Sequence, residues 1–269
     1  MDYSQYLRND KLPYIWCAGC GDRIVLKAIL RAIHDLGLEK DEIAMVAGIG
    51  CSGRTAGYVD FNTLHTTHGR AITFATGLKM ARPDMTVIVV SGDGDATAIG
   101  GNHLIHAARR NIDITVLVYN NHIYGMTGGQ VSPTTPMGDF ATTAPYGSLE
   151  NTFDISGLTI AAGASFVARS AVADIKYLSN LIRQAISKKG FSLVEVMTPC
   201  YIAYGRMNEK GSAAQMILDQ REEAVDVEEA KSMSPEDLQD RIVVGVLADR
   251  ELPEYIATYD RVISQAQQR

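Results

Sequence analysis

Residues 85–121, MTVIVVSGDGDATAIGGNHLIHAARRNIDITVLVYNN, decide the fold. An apolar run opens the stretch and a second one, ITVLVY, closes it. The first breaks off in Gly-Asp-Gly-Asp (92–95) and the second in Asn-Asn (120–121). Between them IGGNHLIHAARR (99–110) has the small residues of a helix that packs closely on a sheet. Strands that are apolar throughout are buried on both faces, as in parallel sheets covered by helices, and such sheets bind ligands at the carboxyl ends of their strands. Gly92 and Gly94 allow a tight turn and close backbone approach to a phosphate, while Asp93 presents a carboxylate to a hard cation. If the two strands are parallel neighbours, the Asn121 amide oxygen lies near Asp93. One charged and one neutral oxygen ligand suit Mg²⁺, which completes its octahedral shell with phosphate oxygens. The segment reads as a diphosphate site held through a divalent metal.

The same design extends in both directions. EIAMVAGIG (42–50) is another apolar run ending in glycine, and AITFATGLKMAR (71–82) is another small-residue helix. Upstream, Val25, Ile29, Ile33 and Leu36 keep helical spacing to a stop near Gly37, with Asp22 placed to cap the start. Downstream the rhythm predicts a helix over 155–162, a strand over 164–169, a helix over 173–188 and a strand over 191–197. The expected fold class is α/β, a doubly wound sheet of about five parallel strands, filling residues 1–206. From Met207 the composition turns acidic and amide-rich (DQREEAVDVEE, SPEDLQD), followed by RIVVGVL and a last helical stretch. Residues 207–269 are therefore expected to be a C-terminal extension that packs on the domain or on a partner chain, its charges a solvated helical face.

Bulk properties exclude several classes. Hydrophobic residues make up 46% of the 269 and charged residues 21%, with a formal net charge of −6. That leaves no basic footprint for nucleic acid. No apolar run approaches the roughly 20 residues of a membrane helix, and the opening MDYSQYLRNDKLPY lacks the charged-then-apolar order of a signal peptide. The expected setting is cytoplasmic, and there the four cysteines are more readily metal ligands than disulfides.

CAGC (17–20) puts two thiols within reach of one metal centre, yet C-x-x-C is shared by zinc, thiol-redox and iron–sulfur sites. A zinc ribbon would bring a second such pair. Here Cys51 follows the first strand and Cys200 the last, both on the cofactor face. Four cysteines so arranged match the Cys₄ requirement of one [4Fe–4S] cluster.

Taken together, WCAGCGD (16–22), GIGCSGR (48–54), HTTHGRA (65–71), GDGDATAIGGNH (92–103), NNHIYGMTGGQ (120–130) and TPCYIAYGR (198–206) make the chain resemble the beta subunit of 2-oxoacid:ferredoxin oxidoreductases over about residues 11–206, the 2-oxoglutarate type being nearest. The resemblance implies the diphosphate-domain fold of thiamine-diphosphate enzymes. It also implies Mg²⁺ on Asp93 and Asn121 and on the Ile123 carbonyl, and a cluster on Cys17, Cys20, Cys51 and Cys200. Implied cofactor contacts are Ile49, Gly50, Cys51, Ser52, His68, Gly69, Arg70, Ala71, Gly94, Asp95, Gly125 and Met126, with His68 and Arg70 expected to act in catalysis. His65, like His68, reads either as a polar contact for substrate or diphosphate or as a packed, hydrogen-bonded loop residue, whereas His103 and His106, at helical spacing, read as structural. Two positions depart from the family pattern. Ala18 replaces a common proline, and Gly128 replaces a lysine that some relatives use in substrate handling, so a second substrate carboxylate must be recognised elsewhere.

The implied reaction is the coenzyme A-dependent oxidative decarboxylation of a 2-oxoacid, with single electrons passed through the cluster to ferredoxin. Branched-chain 2-oxoacids and pyruvate remain alternative substrates. Thiamine enzymes carry an activating Glu on a separate pyrimidine-binding domain, and one α/β unit leaves no room for it. That Glu is expected from an alpha-subunit partner. A non-redox thiamine decarboxylase or synthase with incidental or zinc-binding cysteines is one rival reading, and a non-catalytic cofactor-binding assembly subunit is another.

Overall fold

The computed structural model describes residues 3–268. The first long helix, α1 (Asp22–Leu36), stops at Gly37, whose φ of 64° lets its N–H reach the carbonyls of Ile33 and His34. The sheet begins with β1 (Ile43–Ala47), and after the short helix α2 (Thr55–Tyr58) the chain adds β2 (Asn62–His65). Helix α3 (Ala71–Ala81), strand β3 (Thr86–Gly92), helix α4 (Gly101–Arg110) and strand β4 (Thr115–Asn120) follow. A small hairpin, β5 (Ile123–Tyr124) with β6 (Gln130–Val131), precedes α5 (Ile155–Ala161), β7 (Phe166–Ala171), α6 (Ile175–Ser187) and β8 (Ser192–Met197). The remainder holds α7 (Ala213–Glu223), β9 (Ala224–Asp226), α8 (Val227–Ala230), α9 (Pro235–Leu238), β10 (Ile242–Asp249) and α10 (Tyr255–Gln267).

Eight strands form one sheet in the order β2-β1-β3-β4-β8-β7-β10-β9. The six from β2 to β7 are mutually parallel, and β10 joins β7 antiparallel. Alternate residues of each apolar run feed opposite faces, as strand geometry requires. Met45, Ile88, Val90, Leu117, Val194 and Val196 pack beneath α1 and α6. Val46, Val87, Val89, Val116, Val118 and Leu193 pack beneath α3, α4 and α5. Covering both faces is what makes the strands read as unbroken hydrophobic segments.

Three sequence expectations need correction. The sheet has six parallel strands rather than about five, because β2, with the sequence NTLH, is a mostly exposed edge strand that carries no apolar run. The extension does not merely pack on the domain: RIVVGVL supplies β10, which lengthens the sheet. Asp22 does not cap α1. It is the first helical residue after Gly21, makes no capping hydrogen bond, and is 1% exposed. No helix among the described residues is long and apolar enough to cross a membrane.

Asn111 ties the extension to the rest of the sheet domain. It ends α4 in the left-handed region at φ 52° and is buried. Its Oδ1 accepts from Phe191 N (2.7 Å) and Ser165 Oγ (2.9 Å), while its Nδ2 donates to the carbonyls of Pro253 (3.0 Å) and Leu252 (3.4 Å). Replacing Asn111 by Asp keeps the acceptor but sets a second carboxylate oxygen against the carbonyls of Leu252 and Pro253 where the donor stood. Asn111→Asp is therefore expected to lower the opening free energy of α10 by about 1–3 kcal/mol, two hydrogen bonds' worth. Hydrogen exchange should read this as faster exchange over 255–267 with β3 and β4 unchanged.

Candidate cofactor and cluster site

The carboxyl ends of β1, β3 and β4 open on one cleft, completed by the β5–β6 hairpin. Asp93 follows β3 directly and is 2% exposed, with its Oδ2 accepting from Ser132 Oγ and Thr134 Oγ1, both at 2.5 Å. Burial pushes its carboxyl above the ordinary range, and the two hydroxyls pull the other way. Asn121 lies across from it at the end of β4, its Oδ1 accepting only the Ile123 N–H at 3.2 Å. Between them His122 takes φ 63°, which turns the chain back into the hairpin.

Asp95 has a different environment. It opens a single π-helical turn (Asp95–Ile99) that delays α4 to Gly101, a distortion common at functional sites. Its Oδ1 accepts from Gly69 N (2.7 Å), His68 Nδ1 (2.5 Å) and Ile49 N (3.3 Å), and its Oδ2 accepts from Ser91 Oγ (2.5 Å). Asp95 lines the cleft, but its oxygens are consumed by the protein itself. It fixes His68 with Nδ1–H toward the carboxylate, leaving Nε2 as the free ring nitrogen. Gly48 makes room for this arrangement: a Cβ there would stand 1.8 Å from Asp95 Oδ2.

The donors and acceptors fit a metal-held diphosphate. Ser52 Oγ is buried in the cleft wall without a hydrogen-bond partner, a donor that a phosphate oxygen would satisfy. Gly94 admits the Tyr124 ring, which a Cβ would meet at 2.3 Å, and Tyr124 Oη donates to the Gly94 carbonyl at 3.0 Å. Asp93 and Asn121 supply the hard oxygen ligands. The cleft measures about 160 Å³, below the roughly 300–1,000 Å³ of pockets that enclose a cofactor-sized molecule.

The four thiols come from three loops held to one another. Trp16 Nε1 donates to the Cys51 carbonyl at 2.8 Å, and Gly21 N donates to the Pro199 carbonyl at 3.3 Å. A Cβ on Gly125 would lie 3.2 Å from Cys200 Sγ and 3.9 Å from Cys51 Sγ, so both sulfurs face one glycine of the hairpin. Cys200 starts a second π-helical turn (Tyr201–Gly205). All four cysteines are free thiols, with Cys17 exposed and the other three partly buried. Burial pushes Cys51 up to about 12, with Asp22, Cys200 and Cys17 adding to it; burial also raises Cys20 and Cys200. No three His, Cys, Asp or Glu side chains among the described residues converge as closely as a single metal ion demands. Four thiols brought together from three loops are a donor set that would fit a Cys₄ cluster.

Other sequence-derived positions fall outside the cleft wall. The Arg70 guanidinium reaches the Ile99 carbonyl (3.1 Å) and His103 Nε2 (2.7 Å), and Arg70 is not among the residues that line the cleft. Gly69 contributes through its amide to Asp95, Ala71 is buried at the start of α3, and His65 is exposed at the end of β2. His103 Nε2 is the hydrogen-bond partner of Arg70. Ser91, Ser132, Thr134 and Tyr124 were not singled out by sequence. Only the hydroxyl-rich SPTT (132–135) after the hairpin gives a signal, and nothing local directs it to Asp93.

A doubly wound sheet with an aspartate after β3, an asparagine after β4 and a glycine turn at the first is the arrangement that the sequence resemblance implies for a thiamine-diphosphate-binding domain. Residues 48–196 match the family described as thiamine pyrophosphate enzyme, C-terminal TPP binding domain. The chain is 51% identical to 2-oxoglutarate synthase subunit KorB of Methanocaldococcus jannaschii over 97% of each chain. It is 52% identical to the subunit of the same name from Methanothermobacter marburgensis, over 94% of this chain and 88% of that one. A solved structure, 2-oxoglutarate:ferredoxin oxidoreductase from Magnetococcus marinus with 2-oxoglutarate, coenzyme A and succinyl-CoA bound, superposes with a TM-score of 0.88 at 31% identity, covering 99% of this chain and 91% of that chain. The chain belongs to the beta subunits of the 2-oxoacid:ferredoxin oxidoreductases.

Two outcomes follow from this geometry. Gly48→Ala displaces Asp95 and with it His68, and is expected to weaken thiamine diphosphate binding by about 1.5–3 kcal/mol, the worth of a hydrogen bond to a charged group; titration calorimetry on the assembled enzyme measures it. In the cluster-free chain at pH 8, a Cys51 thiol raised to about 12 is ionised in roughly one molecule in ten thousand. Iodoacetamide should modify the exposed Cys17 first, and Cys51 should accelerate about tenfold per pH unit, as read by mass spectrometry.

Proposed function

We propose that this chain carries the metal-diphosphate and electron-accepting half of an enzyme converting 2-oxoglutarate and coenzyme A to succinyl-CoA and carbon dioxide, with two electrons leaving singly to ferredoxin. The observation that carries the reading is Cys51. It lines the cleft with Asp93 and Asn121, and its sulfur faces the same glycine as Cys200. The 2-oxoglutarate preference rests on the names of the relatives and of the solved structure.

Bound at this site, thiamine diphosphate supplies the electron sink for decarboxylation, and a [4Fe–4S] cluster supplies the one-electron exit. Asp93, Asn121 and the Ile123 carbonyl hold Mg²⁺. Ser52 Oγ and the glycine turns at Gly50 and Gly94 receive the diphosphate. His68, oriented by Asp95, offers Nε2 as a proton donor or acceptor at the cleft. Cys17, Cys20, Cys51 and Cys200 ligate the cluster, whose iron offsets the cost of ionising buried thiols.

No glutamate lines the cleft among the described residues, and the second wall, with the activating Glu, is assigned to an alpha subunit. The four unpaired cysteines support a reducing, cytoplasmic setting.

The test is anaerobic purification with the alpha subunit, followed by coenzyme A-dependent reduction of a viologen dye by 2-oxoglutarate, pyruvate and branched-chain 2-oxoacids. The expected result is a brown complex with about four irons per beta chain that is fastest on 2-oxoglutarate. Cys200→Ala should remove the visible cluster absorption and the dye reduction while thiamine diphosphate still binds. A colourless complex without iron that still releases carbon dioxide would replace this reading with a non-redox decarboxylase. Turnover by the lone beta chain would refute the shared site.

A further inference from the structure

Glu195 is out of place in its strand. It sits within β8, between β4 and β7, 3% exposed and in a segment buried throughout. An ionised carboxylate there is costly unless its oxygens are satisfied. Three donors do so. Asn120 Nδ2 reaches Oε1 at 2.8 Å, while Ser156 Oγ (2.6 Å) and Arg169 Nε (2.9 Å) reach Oε2. Arg169 is shared in turn with Asp154 at 3.1 Å.

The charge needs Arg169, but Asn120 gives the pair a second consequence. Asn120 is the last residue of β4 and is 4% exposed. A carboxylate only accepts, so the Asn120 amide must turn Nδ2 toward Glu195 and Oδ1 the other way. There Oδ1 accepts the His122 N–H at 3.3 Å. His122 is left-handed at φ 63°, a conformation costing a non-glycine residue about 1–2 kcal/mol. Two more contacts hold it: His122 Nδ1 with the Thr134 carbonyl (2.8 Å) and the His122 carbonyl with Thr135 Oγ1 (2.5 Å). The residues flanking His122 are Asn121 and Ile123.

We propose that Glu195 is a positioning residue for the metal-binding turn. By fixing which way the Asn120 amide faces, it holds His122 left-handed and so sets where Asn121 Oδ1 and the Ile123 carbonyl point. The inference rests on the reading of Asp93, Asn121 and Ile123 as Mg²⁺ ligands.

Glu195→Gln tests it with almost no change in volume. A glutamine has one oxygen, and the charged Arg169 takes it as the stronger donor. The new NH₂ then faces Asn120, whose amide must flip to accept it, setting Nδ2 against the His122 N–H, donor against donor. Asn120→Ala breaks the same link while leaving Glu195 its bonds to Ser156 and Arg169, so it keeps the buried charge paired. Ser156→Ala removes a Glu195 donor without touching Asn120.

The measurement is Mn²⁺ binding by electron paramagnetic resonance at fixed thiamine diphosphate, on the assembled enzyme, alongside thermal unfolding without divalent metal. Glu195→Gln and Asn120→Ala are expected to weaken Mn²⁺ binding about 10–100-fold, as for other residues that orient metal ligands. The parent kcat should return at saturating Mg²⁺, and Ser156→Ala should leave the affinity unchanged. Loss of melting temperature with parental Mn²⁺ affinity in both linking variants would overturn the proposal and leave Glu195 a structural ion pair. Asp93→Asn is the control for the underlying reading. If it too leaves Mn²⁺ binding unchanged, the ligand assignment fails and the positioning role falls with it.

Discussion

The parallel pairing of β3 with β4, with Gly92 opposite Tyr119, is the constraint on which the site depends. It brings Asp93 and Asn121 to the same edge of the sheet, one just beyond each strand. Slipping the register by one residue would exchange the faces of β4, moving Leu117 and Tyr119 out from under α1 and α6. Tyr119 resists that exchange strongly. It is fully buried and its hydroxyl is hydrogen-bonded to Thr55 Oγ1 at 3.2 Å. The core thus sets a ligand geometry to which its own side chains contribute little chemistry. Neighbouring registers extend the effect, since β4 pairs Asn120 with Met197 of β8, and Cys200 follows three residues later.

The buried acids beside this edge differ in how completely the protein satisfies them, and the difference tracks function. Glu195 and Asp95 are saturated by protein donors and serve to orient Asn120 and His68. Asp93 has hydroxyl partners on one oxygen, and burial still pushes it toward its neutral form. Asp22, with Oδ2 unpartnered, is pushed up to about 7 by burial beside thiols that are themselves raised. The Asp93 carboxyl and the buried thiols, driven toward protonation by burial, are groups that a bound cation would return to their charged forms on ligation. The proposed Mg²⁺ and iron–sulfur cluster lie where the protein's own donors run out.

Much of the fold was legible because burial on both faces leaves an unbroken apolar run, as at residues 86–91 and 115–119. What was illegible has physical reasons. Strand β2 is a half-polar edge, so no hydrophobic pattern announces it. Strand β10 follows an acidic stretch and pairs with β7, which lies more than 70 residues earlier. Within the site, the glycines, Asp93, Asn121 and the cysteines could be read because local turns and ligand chemistry restrict residue type. The partners of Asp93, Ser132 and Thr134, are 39 and 41 residues away, and Glu195 is 75 from Asn120. Such contacts are created by the sheet order and leave no local pattern. Arg70 is the converse case: it lies in a recognisable motif, but its direction is set by His103 on a neighbouring helix.

The placement of Cys51 bears on how the proposed reaction is divided between chains. Its loop follows β1 and carries Ser52, whose hydroxyl is unpartnered in the cleft, while its sulfur faces Gly125 beside Cys200. Under the proposed function, phosphate contact and electron exit would both depend on one short loop of a single chain, and no subunit motion would have to bring them together. The wall expected to hold the pyrimidine and its activating Glu is the one that the other subunit must supply. Under the proposed function, loss of the partner leaves an intact route for electrons and no means of starting the chemistry, so an unassembled beta subunit is held inactive at the step before any reactive species forms.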